Sequence, residues 1–185
     1  MNNRIGVIGY GEVGKIFALG LLPKPGIESV GAWDLKFADV AHQAKELAHA
    51  RESGVLACTS MQMLCGQSDF LVSAVTASNT LAVAQEAAQH LRPGTLFLDL
   101  TSASPGTKQQ AADAIEAAGG HYVEAGVMTS IPPYGIRVPM LLGGPQAAAL
   151  AQRLQAWGMD ARAVSERLGV ASAIKMCRSV MIKGL

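Results

Sequence analysis

The chain has 185 residues and a formal net charge of +1, from 15 lysines and arginines against 14 aspartates and glutamates. A balance this close to neutral argues against a nucleic-acid-binding protein and against a polybasic protein of membrane surfaces. Half of the residues are hydrophobic, which is enough for a folded core and argues against an intrinsically disordered chain. At about 150 residues per domain, the length predicts one domain, or one domain and part of a second.

The mean hydropathy of +0.26 is positive, but the apolar residues are dispersed and do not form the run of about 20 that a membrane span needs. Near the N-terminus, glycines and Glu12 interrupt the apolar run before it reaches the length of a signal-peptide core. The three cysteines, Cys58, Cys65 and Cys177, lack the spacing of metal ligands and are expected to be buried, reduced thiols. The sequence therefore predicts a cytoplasmic protein without membrane, nucleic-acid or metal partners.

Short β-rich runs alternate with alanine-rich helical stretches along most of the chain. The predicted strands are 4–8, 29–33, 55–57, 70–75, 95–98, 121–125, 139–142 and 159–163. The predicted helices are 13–21, 38–51, 60–66, 79–90, 105–118 and 146–156, and a last one from near Glu166 to the C-terminus. Most strands are continuous apolar runs, as expected when helices cover both faces of a parallel sheet.

This alternation predicts an α/β fold, a Rossmann-type doubly wound and mostly parallel sheet. The alternation stops near 162–166, where a single helix takes over. We therefore expect one α/β domain over 1–164, followed over 165–185 by a separate helix.

The most informative local feature is a glycine-rich loop that follows the first predicted strand and opens the first helix. It consists of Gly9, Tyr10, Gly11, Glu12, Val13 and Gly14. In this setting the G-x-G-x-x-G pattern is a dinucleotide fingerprint. Its glycines permit a tight turn, close approach of the pyrophosphate and close helix packing, and the helix N-terminus offers N–H groups to the phosphates.

Asp34 ends the second predicted strand, about 20 residues after Gly14, where an acidic side chain accepts hydrogen bonds from the adenosine ribose. A carboxylate at this position would repel a 2′-phosphate, which favours NAD as the cofactor. Lys36 lies two residues further on and could soften that preference, so NADP remains possible.

The strand predicted over 70–75 ends at Val75, and Thr76 follows it directly. In an open parallel sheet, ligands bind outside the carboxyl ends of the strands, which places Thr76 and Ser78 beside the cofactor crevice. An equally good local interpretation is that one of these hydroxyls caps the helix that follows.

Three further segments carry polar residues after predicted elements: 99–105, 124–130 and 168–176. With the glycine loop, and in this order, they resemble the four signatures of the β-hydroxyacid dehydrogenase superfamily. That superfamily includes 3-hydroxyisobutyrate dehydrogenase and 6-phosphogluconate dehydrogenase, and the resemblance covers essentially the whole chain. It implies an NAD(P)-dependent oxidoreductase that interconverts a small hydroxy acid and its carbonyl form.

The resemblance also assigns roles to individual residues. The glycine loop, Asp34, Val75, Thr76 and Thr101 would hold the dinucleotide. Lys175 matches the catalytic lysine of the superfamily. The residues assigned to the substrate are Ser102, Met128, Thr129, Ser130 and Ser179.

The chemistry of Lys175 supports its assignment independently of the resemblance. Oxidation of an alcohol requires a group that takes the hydroxyl proton, and reduction requires the same group to return it. A lysine that is partly removed from water has a lowered pKa, which suits it to this exchange. The alternative is an ordinary lysine on an amphipathic helix, with its alkyl chain on apolar surface and its ammonium in water.

Several positions depart from the superfamily pattern. Met128, Thr129 and Ser130 replace Ser-Gly-Gly in the substrate loop, and Ser179 replaces an asparagine one helical turn after Lys175. Arg137, in a proline-rich loop, could bind a substrate carboxylate in bidentate fashion or simply lie in solvent. These differences indicate a divergent branch and leave the substrate open.

Three hypotheses follow from these observations. The first is a hydroxy-acid dehydrogenase acting on a small molecule that bears a carboxylate. The second is a dinucleotide-binding module without catalysis of its own, and the third is a reductase of C=N bonds. By the same resemblance, 1–164 form the dinucleotide-binding domain and 165–185 the start of a long interdomain helix. Superfamily members continue from that helix into a C-terminal helical domain that completes the pocket and usually forms the dimer, and we expect this chain to lack that domain. By that resemblance we expect a homo-oligomer, and this chain is either a natural short form or a fragment that would turn over poorly.

Overall fold

The computed structural model of the chain describes residues 3–184. Its strands are β1 (Asn3–Ile8), β2 (Ile27–Trp33), β3 (Leu56–Ala57), β4 (Phe70–Ser73), β5 (Leu96–Asp99), β6 (His121–Val127), β7 (Met140–Gly143) and β8 (Ala161–Ser165). Its α-helices are α1 (Glu12–Leu21), α2 (Gln43–Glu52), α3 (Met61–Gln67), α4 (Thr80–Ala88), α5 (Pro105–Ala117), α6 (Ala147–Ala156) and α7 (Val170–Lys183). Short 3₁₀ turns occupy Leu35–Phe37, Ala77–Asn79 and Gly135–Arg137.

The strands form one sheet in the order β3-β2-β1-β4-β5-β6-β7-β8. Strands β1 to β6 are parallel, whereas β7 pairs antiparallel with β6 and β8 pairs parallel with β7. The predicted α/β, doubly wound and mostly parallel sheet is therefore confirmed, with two reversed strands at one edge. The order of the strands reverses between β1 and β4, and ligands bind at such a switch point, outside the carboxyl ends of the strands.

Helices cover both faces of the sheet and bury a separate apolar core on each. On one face, α1, α2 and α6 pack with residues such as Phe17, Ala50 and Leu154. On the other face, α3, α4 and α5 pack with residues such as Leu64 and Ile115. Burial on both faces explains why the strands are continuous apolar runs.

Several element boundaries differ from the sequence prediction, and three of them have a local cause in the structure. Helix α2 begins at Gln43 and not at residue 38, because the Asp39 carboxylate accepts the N–H of Ala41 and holds a turn there. Strand β4 ends at Ser73 and not at residue 75, since its partner β1 ends at Ile8. Helix α7 begins after Gly169, whose φ of 89° is left-handed, and not near Glu166.

Other local predictions can be compared directly with the structure. Ser104 caps α5 by accepting the N–H of Thr107, and Pro105 is the first residue of that helix, as predicted. All three cysteines are free thiols, but the expectation that all are buried is wrong for Cys177, which lies on an exposed face of α7. In the part of the chain that the structure describes, none of the helices is long and apolar enough to cross a membrane.

Candidate active site

The glycine loop between β1 and α1 requires glycine for two different reasons. Gly9 has a left-handed φ of 92°, and a Cβ there would lie 2.9 Å from the carbonyl oxygen of Ala74. A Cβ on Gly14 would lie only 1.8 Å from the carbonyl oxygen of Gly9, so α1 could not pack this closely. Gly11, by contrast, has no such neighbour within 4 Å. It faces open space at the N-terminus of α1, where phosphates bind.

Asp34 lies directly after β2, and backbone N–H groups fix its carboxylate. Oδ2 accepts the N–H of Tyr10 at 2.6 Å and Oδ1 accepts the N–H of Lys36 at 2.8 Å. The carboxylate lines a crevice of about 410 Å³ together with Gly9 and Gly11. We call this the dinucleotide crevice, and it brings the glycine loop and Asp34 together as the sequence predicts.

Tyr10 lies in the core, so only its backbone is available to a ligand. Its hydroxyl lies 3.1 Å from Nδ1 of His49, and its ring packs at 5.5 Å from the ring of Phe37. Burial raises the pKa of Tyr10 to about 12. The side chain therefore fixes the glycine loop to α2, and the Tyr10 N–H in turn orients Asp34.

A second cleft, of about 880 Å³, continues from the dinucleotide crevice and is called here the catalytic cleft. The two share Ala74, Val75 and Thr76 as lining residues. It brings together the following residues that the sequence assigned to the site: Glu12, Val13, Val75, Thr76, Thr101, Ser102, Met128, Thr129, Ser130, Lys175 and Ser179.

Lys175 and Ser102, which are 73 residues apart in the sequence, meet in the catalytic cleft. The Lys175 ammonium donates a hydrogen bond to Ser102 Oγ at 2.6 Å. Burial lowers the pKa of Lys175, the positive charge of Lys108 lowers it further, and Asp99 opposes both effects. A lysine with a lowered pKa exchanges protons more readily near neutral pH, as a general acid or base must.

Below Ser102 and Lys175 lies a group of buried polar residues on β5, β6 and α5. Asp99, Lys108 and Glu124 are almost inaccessible to solvent. Tyr122 donates its hydroxyl to Asp99 Oδ2 at 2.5 Å, and the Lys108 ammonium lies 3.8 Å from the same oxygen. The sequence analysis did not identify Lys108. The available signal was its position in the first turn of α5, directly after the motif at 99–105.

Glu124 connects β6 to the first turn of α7. Its Oε1 accepts the N–H of Ala171 at 3.0 Å, and its Oε2 accepts the hydroxyl of Ser172 at 2.5 Å. Gly126 lets the helix approach, because a Cβ there would lie 2.7 Å from the carbonyl oxygen of Ala171. A carboxylate at a helix N-terminus satisfies free N–H groups and complements the helix dipole. This contact places Lys175 one turn further along, over the cleft.

Arg178, which the sequence did not point to, lines the catalytic cleft, and Arg137 does not. Arg137, the arginine considered for a carboxylate, is exposed and does not line the catalytic cleft. Arg178 does line it and donates a hydrogen bond to the carbonyl oxygen of Met128 in the substrate loop. Its position three residues after Lys175, on the same face of α7, was the signal that could have identified it.

The observed groups fit a nicotinamide dinucleotide. Open space at Gly11 and the N-terminus of α1 suit the pyrophosphate, and the fixed Asp34 carboxylate suits the adenosine ribose. Val75 and Thr76 lie where the crevice meets the catalytic cleft. The nicotinamide ring would therefore be held beside Lys175 by residues at the end of β4.

Longer proteins resemble this chain over nearly all of its length. A conserved hypothetical protein from Sinorhizobium meliloti is 41% identical, with a TM-score of 0.92 over 100% of this chain and 61% of its own. An uncharacterized 28.5 kDa protein from Methanothermus fervidus is 25% identical over 98% of this chain and 66% of its own. The chain thus spans less than two thirds of both relatives.

More distant structures share the fold. They include Mycobacterium tuberculosis 3-hydroxyisobutyrate dehydrogenase, at 18% identity over 98% of this chain and 60% of its own, with a TM-score of 0.81. Streptomyces aurantiacus imine reductase is 17% identical, and the match covers 97% of this chain and 62% of the reductase, with a TM-score of 0.80.

The family comparison agrees with these structures and with the resemblance found in the sequence. Residues 4–157 match the model described as the NAD-binding domain of 6-phosphogluconate dehydrogenase. The match covers the glycine loop, Asp34, the motif at 99–105 and the substrate loop. The chain belongs to the family of 6-phosphogluconate dehydrogenase NAD-binding domains.

Proposed function

We propose that this protein is an NAD(P)-dependent oxidoreductase that interconverts a small hydroxy acid and its carbonyl form. Lys175 is the proposed general acid and base. The observation that carries the proposal is the 2.6 Å hydrogen bond between Lys175 Nζ and Ser102 Oγ, in a cleft continuous with the dinucleotide crevice. This arrangement puts a proton-exchanging group and a hydroxyl donor beside the position proposed for the nicotinamide.

In this proposal the Lys175 amine accepts the proton of the substrate hydroxyl during oxidation. During reduction its ammonium donates a proton to the carbonyl oxygen. The bound dinucleotide supplies or accepts the hydride. Ser102 orients the amine and presents its own hydroxyl to the substrate oxygen. The lowered pKa of Lys175, caused chiefly by burial, supports this role because it makes the neutral amine easier to form.

The charges of the catalytic cleft support a substrate with a carboxylate group. Lys175 and Arg178 line the cleft, and Glu12 is the acidic residue among the lining residues that the structure describes. Hydroxyls of Thr129, Ser130 and Ser179 line the same space. Arg178 would bind a carboxylate through its planar guanidinium, which matches the two carboxylate oxygens.

A second candidate function is reduction of a C=N bond in a more apolar substrate. It is favoured by one wall of the catalytic cleft, formed by Val127, Met128, Ile131 and Pro132. Lys175 would then donate a proton to the developing amine nitrogen. The two functions require the same dinucleotide site and differ in the substrate that the apolar wall accepts.

We propose NAD as the preferred cofactor, because the Asp34 carboxylate would repel a 2′-phosphate on the ribose. We also propose a helical domain beyond α7 that completes the cleft and forms a homo-oligomer, in a protein that acts in the cytoplasm. The exposed apolar residues of α7, among them Val180 and Met181 at 71% and 70% exposure, support a partner surface there.

The test compares Lys175→Met with the unmodified chain and with Lys45→Met, a matched change at an exposed lysine. NADH and NADPH binding is measured by titration, and turnover is measured on 3-hydroxy acids, β-semialdehydes and cyclic imines. Loss of an acid–base group costs about 10²- to 10⁴-fold in rate. We expect that loss for Lys175→Met alone, with dinucleotide affinity unchanged.

Unchanged turnover in Lys175→Met would contradict the catalytic role of the lysine. Dinucleotide binding without turnover on any of these substrates would instead favour a binding module without catalysis. Turnover restricted to the imines would select the second candidate function.

A further inference from the structure

Lys108 is the most unusual buried group in the structure. It lies on the first turns of α5, and its side chain is 1% exposed. Its ammonium lies 3.1 Å from the carbonyl oxygen of Ala125 and 3.4 Å from that of Asp99. Burying an ammonium is costly unless several groups compensate it. Because burial of this ammonium costs free energy, we expect a role of Lys108 other than packing.

The contacts of Lys108 join the two strands that carry the catalytic cleft. Asp99 and Glu124 form the last pair of the ladder between β5 and β6. Beyond that pair, β5 leads into Thr101 and Ser102, whereas β6 continues toward the substrate loop at 128–130. Lys108 bridges the strands at the point where they separate, because its ammonium bonds a carbonyl oxygen on each.

The same network supports both members of the Lys175–Ser102 pair. The Asp99 carboxylate faces Lys108, and its Oδ1 accepts the N–H of Thr101 at 2.8 Å, which fixes the turn that presents Ser102. On β6, Glu124 holds the first turn of α7 and so places Lys175. A shift of Lys108 would therefore displace both Ser102 and Lys175, the two partners of the 2.6 Å hydrogen bond.

Charge gives Lys108 a second effect on the pair. Burial lowers the pKa of Lys108 itself, and the carboxylates of Asp99 and Glu124 act in the opposite direction. The positive charge of Lys108 in turn lowers the pKa of Lys175. The ionisable residues around this region are Asp99 on β5, Lys108 on α5, Tyr122 and Glu124 on β6, and Glu12 and Arg178 on the lining of the cleft.

We propose that Lys108 is a positioning residue for Lys175: its ammonium joins β5 to β6, fixes the Ser102 turn through Asp99 and puts a buried positive charge below the Lys175–Ser102 pair. This inference rests on the proposed function, in which the Lys175 amine accepts a proton. A purely structural brace between β5 and β6 is the alternative, and the two differ in their effect on the protonation of Lys175.

The test measures the reactivity of Lys175 in the full chain without any need for turnover. Trace acetylation with acetic anhydride, quantified by peptide mass spectrometry from pH 7 to 11, reports the fraction of neutral amine. Lys45, which is exposed, serves as the internal reference. The midpoint is the pH at which the labelling of Lys175 reaches half of its maximum. In Lys108→Met we expect this midpoint to rise and the labelling of Lys175 at pH 8 to fall roughly threefold or more.

Asp99→Asn separates the charge effect from simple loosening of the site. Removing the carboxylate takes away a negative charge that raises the pKa of Lys175, so the midpoint for Lys175 should stay the same or fall. A loosened site would admit water and raise that midpoint in both variants, whereas labelling speed alone does not separate the two cases because the reagent also gains access. Circular dichroism checks that each variant folds, and Lys108→Arg, which keeps the charge, should preserve the midpoint better than Lys108→Met.

Two results would overturn the proposal: an unchanged or lower midpoint in Lys108→Met, or a higher midpoint in Asp99→Asn. Should Lys108→Met fail to fold, Lys108→Gln, which also removes the charge but keeps polar atoms at this buried position, takes its place. Failure of the proposed function is a separate outcome, because it is detected as full turnover in Lys175→Met and not by labelling.

Discussion

The two halves of the site are built in different ways. In the dinucleotide crevice, the groups that would meet a cofactor belong largely to the backbone: the turn at Gly9, the open space at Gly11 and the N-terminus of α1. One of its two acidic lining residues, Asp34, is itself held by backbone N–H groups. In the catalytic cleft, side chains from separate elements meet, and Lys175 contacts Ser102 across 73 residues of sequence.

The two halves differ because one would bind charged phosphates near solvent, whereas the other holds a partly buried lysine. A helix N-terminus binds phosphates with N–H groups that stay near solvent, so it needs glycine but no buried compensation. A lysine that exchanges protons must lose part of its hydration, and neighbouring charges must then be arranged around it. In the proposed function, the buried Asp99, Lys108 and Glu124 under the catalytic cleft supply these charges.

The largest effect is expected where the dinucleotide crevice depends on backbone approach, at Gly14. A Cβ there would lie 1.8 Å from the carbonyl oxygen of Gly9, so Gly14→Ala must displace α1 or the loop. We expect a loss of about 1–3 kcal/mol in the free energy of unfolding, as for overpacked cores, together with loss of dinucleotide binding. Chemical denaturation and NADH titration measure the two quantities.

Gly11→Ala is the matched control, because its Cβ would meet nothing within 4 Å. It should change stability by less than about 1 kcal/mol yet weaken NADH binding, since the methyl group occupies space proposed for the pyrophosphate. Equal stability losses in both variants would show that the two glycines do not have separate roles.

An intermediate effect is expected at Asp34, the side chain proposed to bind the adenosine ribose. Asp34→Ala removes a charged hydrogen-bond acceptor, worth about 1.5–3 kcal/mol, so NADH affinity should fall roughly tenfold or more. NADPH affinity should fall less, because the repulsion of a 2′-phosphate is removed at the same time. Asp34→Asn keeps an acceptor for the Tyr10 N–H and controls for loop collapse. An unchanged ratio of the two affinities would contradict the role of Asp34 in cofactor choice.

The same contrast explains how much the sequence could predict. The dinucleotide crevice is encoded by a local pattern, and its Gly9, Gly14 and Asp34 lie where that pattern places them. The sheet was equally predictable, because continuous apolar strands alternate with helices. The antiparallel β7 was not, since the direction of an edge strand depends on how the loop at 128–139 returns and not on the strand itself.

The catalytic cleft was predictable only in part. Lys175 and Ser102 were found through resemblance to a family, whereas no spacing relates Lys108 to Asp99 or Glu124 to Ala171. Such contacts are set by how close α5 and α7 approach the sheet. Lys108 on a predicted helix has the appearance of a solvated residue until packing shows it to be buried.

The smallest effect should come from Glu124, and it tests whether the two halves are independent. Glu124→Gln keeps the shape of the side chain but removes the charge that holds the Ala171 N–H and the Ser172 hydroxyl at the start of α7. We expect a loss of about 1 kcal/mol in stability, faster amide exchange in the first turn of α7 and weaker ordering of Lys175. Glu116→Gln, at an exposed position on α5, is the control.

NADH affinity is the decisive measurement in Glu124→Gln. The dinucleotide crevice is lined by residues at the ends of β1, β2 and β4 and by residues of α4, and none of its lining residues in the described part of the chain comes from α7. The affinity should therefore stay within about twofold, the size of effect expected for sites without shared partners. A larger loss would mean that α7 also supports the dinucleotide crevice, and that the division between a backbone-built half and a side-chain-built half is too sharp.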